Sequence, residues 1–446
     1  MPKKALQSLG TLKDGIGNDL RAKSERPIAS VALSSQDQSP NCLCLHAGLG
    51  RVRSVAGIDW LSGFECDPGS LAIRGRFMRI LWVFEHLQVQ AQLREVAYNL
   101  AARPDVSLEV MCPWNETPPL DSSVIPLTRL AQRHKLDFAA RRVIREKLQS
   151  SSFDIAHAYS SRDLANLLGA RHGVRSLPKL VGYRGTVNRL QWLDPGHWIT
   201  FWHPSLAKIV CVCHATNRTL QESRISAGKL ATVWEGCDSD VLQTPSREEL
   251  GKFDIPADAF VVGTVANMRP VKGVDLLLRA AVELADLPDV YWLLVGDVRD
   301  PRIPQLAADA RIAPRVRLIG AQPNGGRFAG LLDVYVAPSR IEGLSMGIME
   351  AMAQRICPIV TNVGGSPELV RHEVDGLLVA PEDPSAIARA IRRLYVARQW
   401  KQQLAESAYQ RIRTEFSIAS WSDRLHETYS QLLNESGRTK TLERAA

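Results

Sequence analysis

Residues 259–285 read AFVVGTVANMRPVKGVDLLLRAAVELA. The opening, AFVVGTVA, is a continuous apolar run of strand length, as expected for a strand buried on both faces. The closing part sets Val274, Leu277, Leu278 and Ala281 at helical i, i+3, i+4, i+7 spacing. Between them lies a turn rich in breaker residues that carries Arg269 and Lys272. Strand, basic loop and helix make the first half of a βαβ unit. In open α/β sheets, ligands bind beyond the carboxyl ends of the strands. Two cations at that place suit a diphosphate. Taken alone, they read equally as solvated surface charge.

The same grammar repeats in both directions. Toward the C-terminus come the strand-like runs VYWLLVG, VRLIG, DVYVAPS, CPIVT and GLLVA, with helical segments between most of them. Toward the N-terminus, MRILWVFEH opens abruptly at Met78, followed by SLEVMC, FDIAHAY, PKLVGYR and KIVCVC. Two successive series predict an α/β chain with two Rossmann-like, doubly wound parallel sheets facing a cleft. The expected boundaries are 78–240 for the first domain and 241–416 for the second. A final helix over 417–436 follows a break at Phe416-Ser417, and 437–446 reads as a disordered tail. Residues 1–77 lack sustained periodicity and read as disordered, or as an extension ahead of a true start at Met78.

Composition sets bounds without choosing a partner. The 446 residues are 45% hydrophobic and 23% charged, with a net charge of +8. Such an excess suits polyanions in general. The eight cysteines show no C-x₂-C pairing. Cys42/Cys44 and Cys211/Cys213, each spaced by one residue, read as idle thiols in a reducing compartment. No apolar run is long enough to span a bilayer, and no signal peptide stands at Met1, so the reading is cytoplasmic.

A second stretch sharpens the chemistry. Residues 337–353 read APSRIEGLSMGIMEAMA. The strand DVYVAPS ends at Ser339, which sends Glu342 toward the cleft. Gly343 and Gly347 permit close backbone approach. The helix start near Ser345–Gly347 offers free N–H groups to a phosphate. Glu350, about one turn into the helix, is placed to accept hydrogen bonds from a vicinal diol such as a ribose. The plain alternative is a surface Glu342 and a solubilising Glu350. A third stretch, NVGGSPELV, sets Gly364-Gly365 at another strand end, with Ser366 as a helix N-cap. Glu368 reads there as helix-start chemistry rather than as a catalytic group.

Together, NMRPVKG, APSRIEGLSMGIMEAMA and VTNVGGSPELVRHEVDGLLVAPED resemble the retaining glycosyltransferases of family 4. The resemblance spans 78–436 and is strongest over 259–396. It implies a GT-B fold, with the donor on the second domain, the acceptor facing the first, and the last helix crossing back. It implies donor binding by Arg269, Lys272, Glu342, Gly343, Leu344, Ser345, Met346 and Glu350. Glu342 would contact the sugar and Glu350 the ribose. Arg269 and Lys272 would neutralise the diphosphate, and His157 would lie on the acceptor side. The implied catalytic set is Glu342, His157, Arg269 and Lys272, acting with retention and without a metal. No cofactor is implied beyond the nucleotide diphosphate sugar as co-substrate. The acceptor would be a glycan or a lipid-linked glycan, and glucosyl or mannosyl transfer is favoured. Three departures stand out. Asn267 occupies a position where the family often has Arg. Arg355 and Cys357 alter the loop after the EAMA helix. EHLQVQAQ lacks the glycines usual after the first strand.

Other readings stay open. An epimerase or hydrolase of the same architecture would turn over donor without acceptor. A nucleic-acid-binding protein would explain the charge, but the chain lacks a recognisable binding module, so no nucleic acid is expected as a partner. A helix over about 129–149 gathers Arg129, Arg133, Lys135, Arg141, Arg142, Arg145 and Lys147 against Asp137 and Glu146. It reads as a docked helix with a solvated basic side, or as a peripheral contact with an anionic membrane on its inner face. Asp238-Ser239-Asp240 has the D-x-D form of metal-dependent transferases, but it falls in the interdomain stretch of the resemblance. Turnover is therefore expected to persist in excess EDTA. Loss on chelation, restored by manganese, would make Asp238 and Asp240 metal ligands.

Overall fold

The structure, a computed structural model, describes residues 77–85, 91–115, 117–238 and 242–445, without the side chains of 91 and 436–445. These all lie in one compact unit, Ala72–Ala446. The expectations for residues 1–76, for Cys42/Cys44, for most of EHLQVQAQ and for Asp240 fall outside the described residues.

The first series begins with β1 (Met78–Val83), α1 (Ala91–Ala101), β2 (Val106–Cys112), β3 (Leu127–Arg129), α2 (Phe138–Ser150) and β4 (Ile155–Ala158). It continues through α3 (Ser161–Ala170), β5 (Lys179–Arg184), α4 (Pro195–Trp198), β6 (Leu206–Cys211), α5 (His214–Glu222) and β7 (Leu230–Thr232). Its seven strands run parallel in the order β3-β2-β1-β4-β5-β6-β7. The second series runs through β8 (Phe260–Val265), α6 (Val274–Glu283), β9 (Val290–Val295), α7 (Arg302–Ala307), β10 (Val316–Leu318) and β11 (Val334–Ala337). It closes with α8 (Met346–Ala353), β12 (Cys357–Thr361), α9 (Ser366–Leu369), β13 (Leu377–Val379), α10 (Pro384–Val396) and α11 (Arg398–Glu415). Its six parallel strands lie in the order β10-β9-β8-β11-β12-β13. The central strands are buried almost residue by residue, which is why they read as unbroken apolar runs.

The last helix, α12 (Ile418–Ala445), belongs to the core of the first domain. Ile418, Trp421, Leu425, Tyr429 and Leu432 pack with Met78, Ile80, Trp82 and Val96. Its start is fixed twice. Ser417 Oγ accepts from Ser420 N at 3.1 Å, and Asp238 Oδ1 accepts from Ile418 N at 3.2 Å. Asp238 thus caps this helix from the linker between the two sheets. The helix also runs through to Ala445, where the sequence suggested a disordered tail after 436. Leu442, Glu443, Arg444 and Ala445 are good helix formers, and the turns before them supply the costly nucleus.

The basic helix is shorter than its charge pattern suggested. Asp137 caps it, accepting from Ala140 N at 3.1 Å and Arg133 N at 2.9 Å, so helical turns begin only at Phe138. Arg129 lies in β3, and Arg133 and Lys135 precede the cap. Ala140, Ile144 and Leu148 face the core. Arg141 and Arg145 donate to the carbonyls of Lys135 and Ala170, and Lys147 pairs with Glu109. Much of the basic side is therefore used within the domain.

One group fastens the two sheets together. Helix α5 has Cys213 at its N-cap, whose side chain makes no capping hydrogen bond. Glu368, in the first turn of α9, supplies the cap from the other domain. Its carboxylate accepts from His214 N at 2.8 Å, Ala215 N at 2.7 Å and the indole N–H of Trp234 at 3.0 Å. Glu368 is helix-start chemistry, as its position suggested, but much of it serves a helix of the first domain. Close by, Cys237 N donates to Phe416 O at 2.7 Å, so the chain's two crossings between the sheets lie side by side. Hydrogen bonds to charged groups are worth about 1.5–3 kcal/mol. Glu368→Ala should destabilise the full chain by about that much, seen as a lowered melting temperature. An unchanged melting temperature would contradict the role.

Candidate active site

The order of the second sheet reverses between β8 and β11, which pair directly despite their separation in sequence. Such a switch point opens a crevice at the carboxyl ends of the strands. A cavity of about 310 Å³ lies there. Its walls are the end of β8 through Asn267, the turn bearing Arg269 and Lys272, the end of β11 through Ser339, Glu342, and Leu344 to Gly347.

Local backbone geometry puts each group in place. Gly273, at the end of the basic turn, has φ +64°, and a methyl group there would overlap the carbonyl oxygen of Pro338. Only glycine lets the turn lie this close to the end of β11. Lys272 Nζ then reaches both oxygens of Glu342, at 2.7 and 3.0 Å. Ser339 Oγ donates to the same carboxylate at 2.8 Å. Glu342 is only 9% exposed, so its charge is paired inside the wall rather than solvated. Arg269 and Asn267 stand exposed at the rim.

The bend after Glu342 is held by the double glycine. Gly364 has φ +55°, and a methyl group there would overlap the Glu342 carbonyl oxygen. Gly365 N donates to that same oxygen at 3.2 Å. Gly343 does make a close backbone approach, and its neighbour is the carbonyl oxygen of Gly185, just past β5 in the first domain. Beyond the bend, Ser345, Met346 and Gly347 line the cavity at the start of α8. The N–H groups of that first helical turn are therefore set beside the two cations. Leu344 completes the wall and is mostly buried.

Glu350 sits one turn further along. Its carboxyl lies against Gly326, where a methyl group would overlap it. Burial pushes it up to about 7. Gln354 braces the same corner, donating to Gly326 O at 2.9 Å and Glu350 O at 3.0 Å. The contribution of the Gly325-Gly326 turn was not singled out from the sequence, because its glycines fall outside the quoted motifs.

His157 does not join this set. It is fully buried in β4, with Nδ1 2.6 Å from the hydroxyl of Tyr429 in α12. That hydroxyl also accepts from Trp82 Nε1 at 3.1 Å. Burial pulls the imidazole down to about 3, which keeps it neutral. Where the resemblance set His157 on the acceptor side, the structure packs its ring against Tyr429 of α12, outside the cavity that gathers Arg269, Lys272 and Glu342. A pair absent from the sequence reading lies on the first domain instead. Tyr183, near the end of β5, donates to Glu235 at 2.5 Å, and burial pushes Glu235 up to about 7. The available signal was a glutamate inside the apolar VWEGC of the linker.

Arg355, the departure noted after the EAMA helix, takes φ 58°. Its left-handed backbone is one that glycine adopts freely. The arginine is held there by Glu406 at 2.8 Å and by the Tyr409 ring, 3.6 Å from its guanidinium carbon.

Comparison with known proteins adds to this geometry. A mannosyltransferase of lipopolysaccharide core biosynthesis from Rhizobium leguminosarum bv. viciae is 30% identical over 184 residues, covering 39% of this chain and 52% of that protein. The N-acetyl-alpha-D-glucosaminyl L-malate synthase of Bacillus anthracis is 25% identical over 313 residues, covering 68% and 78%. A D-inositol 3-phosphate glycosyltransferase of Catenulispora acidiphila is 32% identical, and this chain covers 43% of its length. The chain thus spans about half the length of several of the curated relatives it matches. Among solved structures, Anabaena Alr3699/HepE in complex with UDP-glucose superposes with a TM-score of 0.66 at 20% identity, covering 79% of this chain and all of that one. A glycosyltransferase from Rickettsia africae gives 0.68 at 20% identity, covering 80% and 98%. The likeness in structure makes the architecture GT-B, and residues 259–396 match the family described as group 1 glycosyl transferases.

Proposed function

We propose that the chain is a retaining glycosyltransferase. It moves a hexosyl group, glucosyl or mannosyl, from a nucleoside diphosphate sugar to a hydroxyl of a glycan or lipid-linked acceptor. One observation carries this reading: Arg269, Lys272 and the start of α8 converge on one cavity at the switch point of the second sheet. The curated relatives include sugar transferases, and Anabaena Alr3699/HepE is a structural neighbour that binds UDP-glucose.

In this reading the diphosphate lies between the two cations and the N–H groups of α8, which stabilise the charge that develops as the nucleotide leaves. No metal is required, because side chains supply the positive charge. Glu342 accepts from hydroxyls of the sugar, while Lys272, now its partner, turns partly to phosphate. Glu350 accepts from the ribose hydroxyls. The acceptor enters from the first domain and attacks from the side the nucleotide leaves, so configuration is retained. An oxygen of the departing phosphate takes the acceptor's proton. Closure of the two domains removes water and strengthens each contact.

The first test is a thermal-shift screen of UDP-, GDP- and ADP-sugars, since a ligand of the native state raises its apparent stability. No shift with any of them would remove the donor reading. The division between the glutamates is then tested by mutation. Glu350→Gln should weaken free nucleoside diphosphate by about ten- to a hundredfold, the worth of hydrogen bonds to a charged group. Glu342→Gln should leave that affinity nearly unchanged and reduce turnover instead. Equal losses of affinity in both would contradict the assignment.

A pH series gives an independent check on Glu350. Its carboxyl is raised from 4.5 to about 7, so the stability it contributes is fully present below about 4.5 and is lost as pH rises through about 7. Ribose hydroxyls favour the ionised form. Nucleoside diphosphate affinity should therefore rise between about pH 5 and 8 in the wild type, and stay flat in Glu350→Gln. Equal slopes in both proteins would place the titration elsewhere.

A further inference from the structure

The strongest unassigned feature lies on the first domain. The connection from β5 to β6 carries Trp192, Leu193 and Trp198, exposed by 61%, 92% and 40%. The stretch entering α2 carries Leu136 and Phe138, exposed by 48% and 78%. The two segments touch. Lys135 Nζ lies beside Gly196, where a methyl group would come within 2.7 Å of it. Large apolar side chains exposed singly are ordinary, but five in two adjoining segments form a patch that calls for a partner.

The patch has a built base. Trp192 stands edge-on to Trp198 with ring centroids 4.2 Å apart, and Trp198 packs on the less exposed Trp202 at 4.8 Å. Trp198 Nε1 donates to Trp192 O at 2.8 Å, and Asp194 accepts from Gly196 N at 2.7 Å. The tip is therefore ordered, and its leucine is held outward rather than folded under. Charge surrounds it with one sign in excess. Arg133, Lys135, Arg142 and Arg189 lie on the same two segments, against Asp137 and Asp194, while Arg141 is turned to the carbonyl of Lys135. Asp137 is buried as a helix cap, and Arg142 and Arg189 have paired with Glu146 and Glu222.

We infer that this aromatic and basic edge docks the first domain on an anionic lipid surface. Tryptophans place an apolar body and a polar N–H at the headgroup level, while leucine and phenylalanine enter the acyl boundary. The surrounding cations answer anionic headgroups. A stacking platform for a soluble glycan fits less well. The exposed indoles are packed edge to face instead of presenting one open ring face, and the most exposed group is the aliphatic Leu193. The site takes in only the first turn of α2, since much of that helix's basic side is used inside the domain. The loop also starts at the cleft, since the carbonyl oxygen of Gly185 abuts Gly343. Docking there would hold the cleft's acceptor half beside the bilayer. The inference does not depend on the donor reading.

The test is co-sedimentation of the full chain with vesicles of phosphatidylcholine alone, and with about a third phosphatidylglycerol. Binding should require the anionic lipid, fall with salt, and drop about tenfold in Leu193→Ser with Phe138→Ser, from the apolar area kept out of the membrane. Both side chains are exposed, so the melting temperature and any thermal shift with a nucleotide sugar should stay unchanged. Wild-type binding in the double variant, or equal binding to neutral vesicles, would overturn the inference. So would release of vesicle-bound protein by a soluble oligomannose, which would assign the patch to a glycan. Loss of the nucleotide-sugar shift in both proteins, with vesicle binding intact, would count against the donor reading alone.

Discussion

The geometry of the cleft depends on one carboxylate. Each sheet packs against its own helices, and one apolar cluster runs across both domains. Across the interface, Val212, Cys213 and Ala215 share an apolar cluster with Leu344, Ile348 and Leu369, and Glu368 adds direction by closing the open end of α5. A helix start presents unpaired N–H groups and a partial positive charge. A carboxylate that accepts from them stabilises the helix start through charge-assisted hydrogen bonds. Cys213 makes no side-chain cap here, so the protein acceptor for this end comes from the second domain. The same contact aligns the carboxyl ends of both sheets, because α5 follows β6 and α9 follows β12.

Most of the buried charge in the cleft is partnered. Glu342 is held by Lys272 and Ser339, and the Tyr183 hydroxyl donates to Glu235. Glu350 is the contrast, with a carboxyl raised by burial and set against the backbone of a glycine. A buried carboxylate that lacks a strong donor favours any ligand that brings one. The wall is thus prepared with a cation that can exchange partners and an acid that gains by acquiring them.

The strands were legible because parallel strands buried on both faces leave uninterrupted apolar runs, and AFVVGTVA and DVYVAPS are such runs. The cavity was legible because strand ends, turns and a helix start are local in sequence, so Arg269, Lys272, Glu342 and Ser345 could be brought together from spacing. What failed was long-range. His157 stands at a strand end where a cleft residue belongs, yet its partner is Tyr429, 272 residues away. Glu368 could be read as helix-start chemistry, but nothing near it in the chain names α5. The basic helix was placed too early because charge does not mark a boundary, whereas Asp137, whose side chain takes two backbone N–H groups, does. Arg355 was visible as an oddity, and only the backbone angle explains it.

The position of α12 has a consequence for how the protein is made. A ribosome delivers β1 first and α12 last, yet both belong to one apolar cluster. The first domain cannot close while the second is being synthesised, and Trp82, Val96 and Leu100 must wait uncovered for Trp421, Leu425 and Tyr429 to emerge. Domains that form in order as they leave the ribosome avoid such exposure. Here the earliest sheet is completed by the latest helix, so nascent chains halted before residue 418 would carry an open hydrophobic face. Such chains are natural clients for chaperones, and a stop codon late in the gene would damage the half of the protein encoded first.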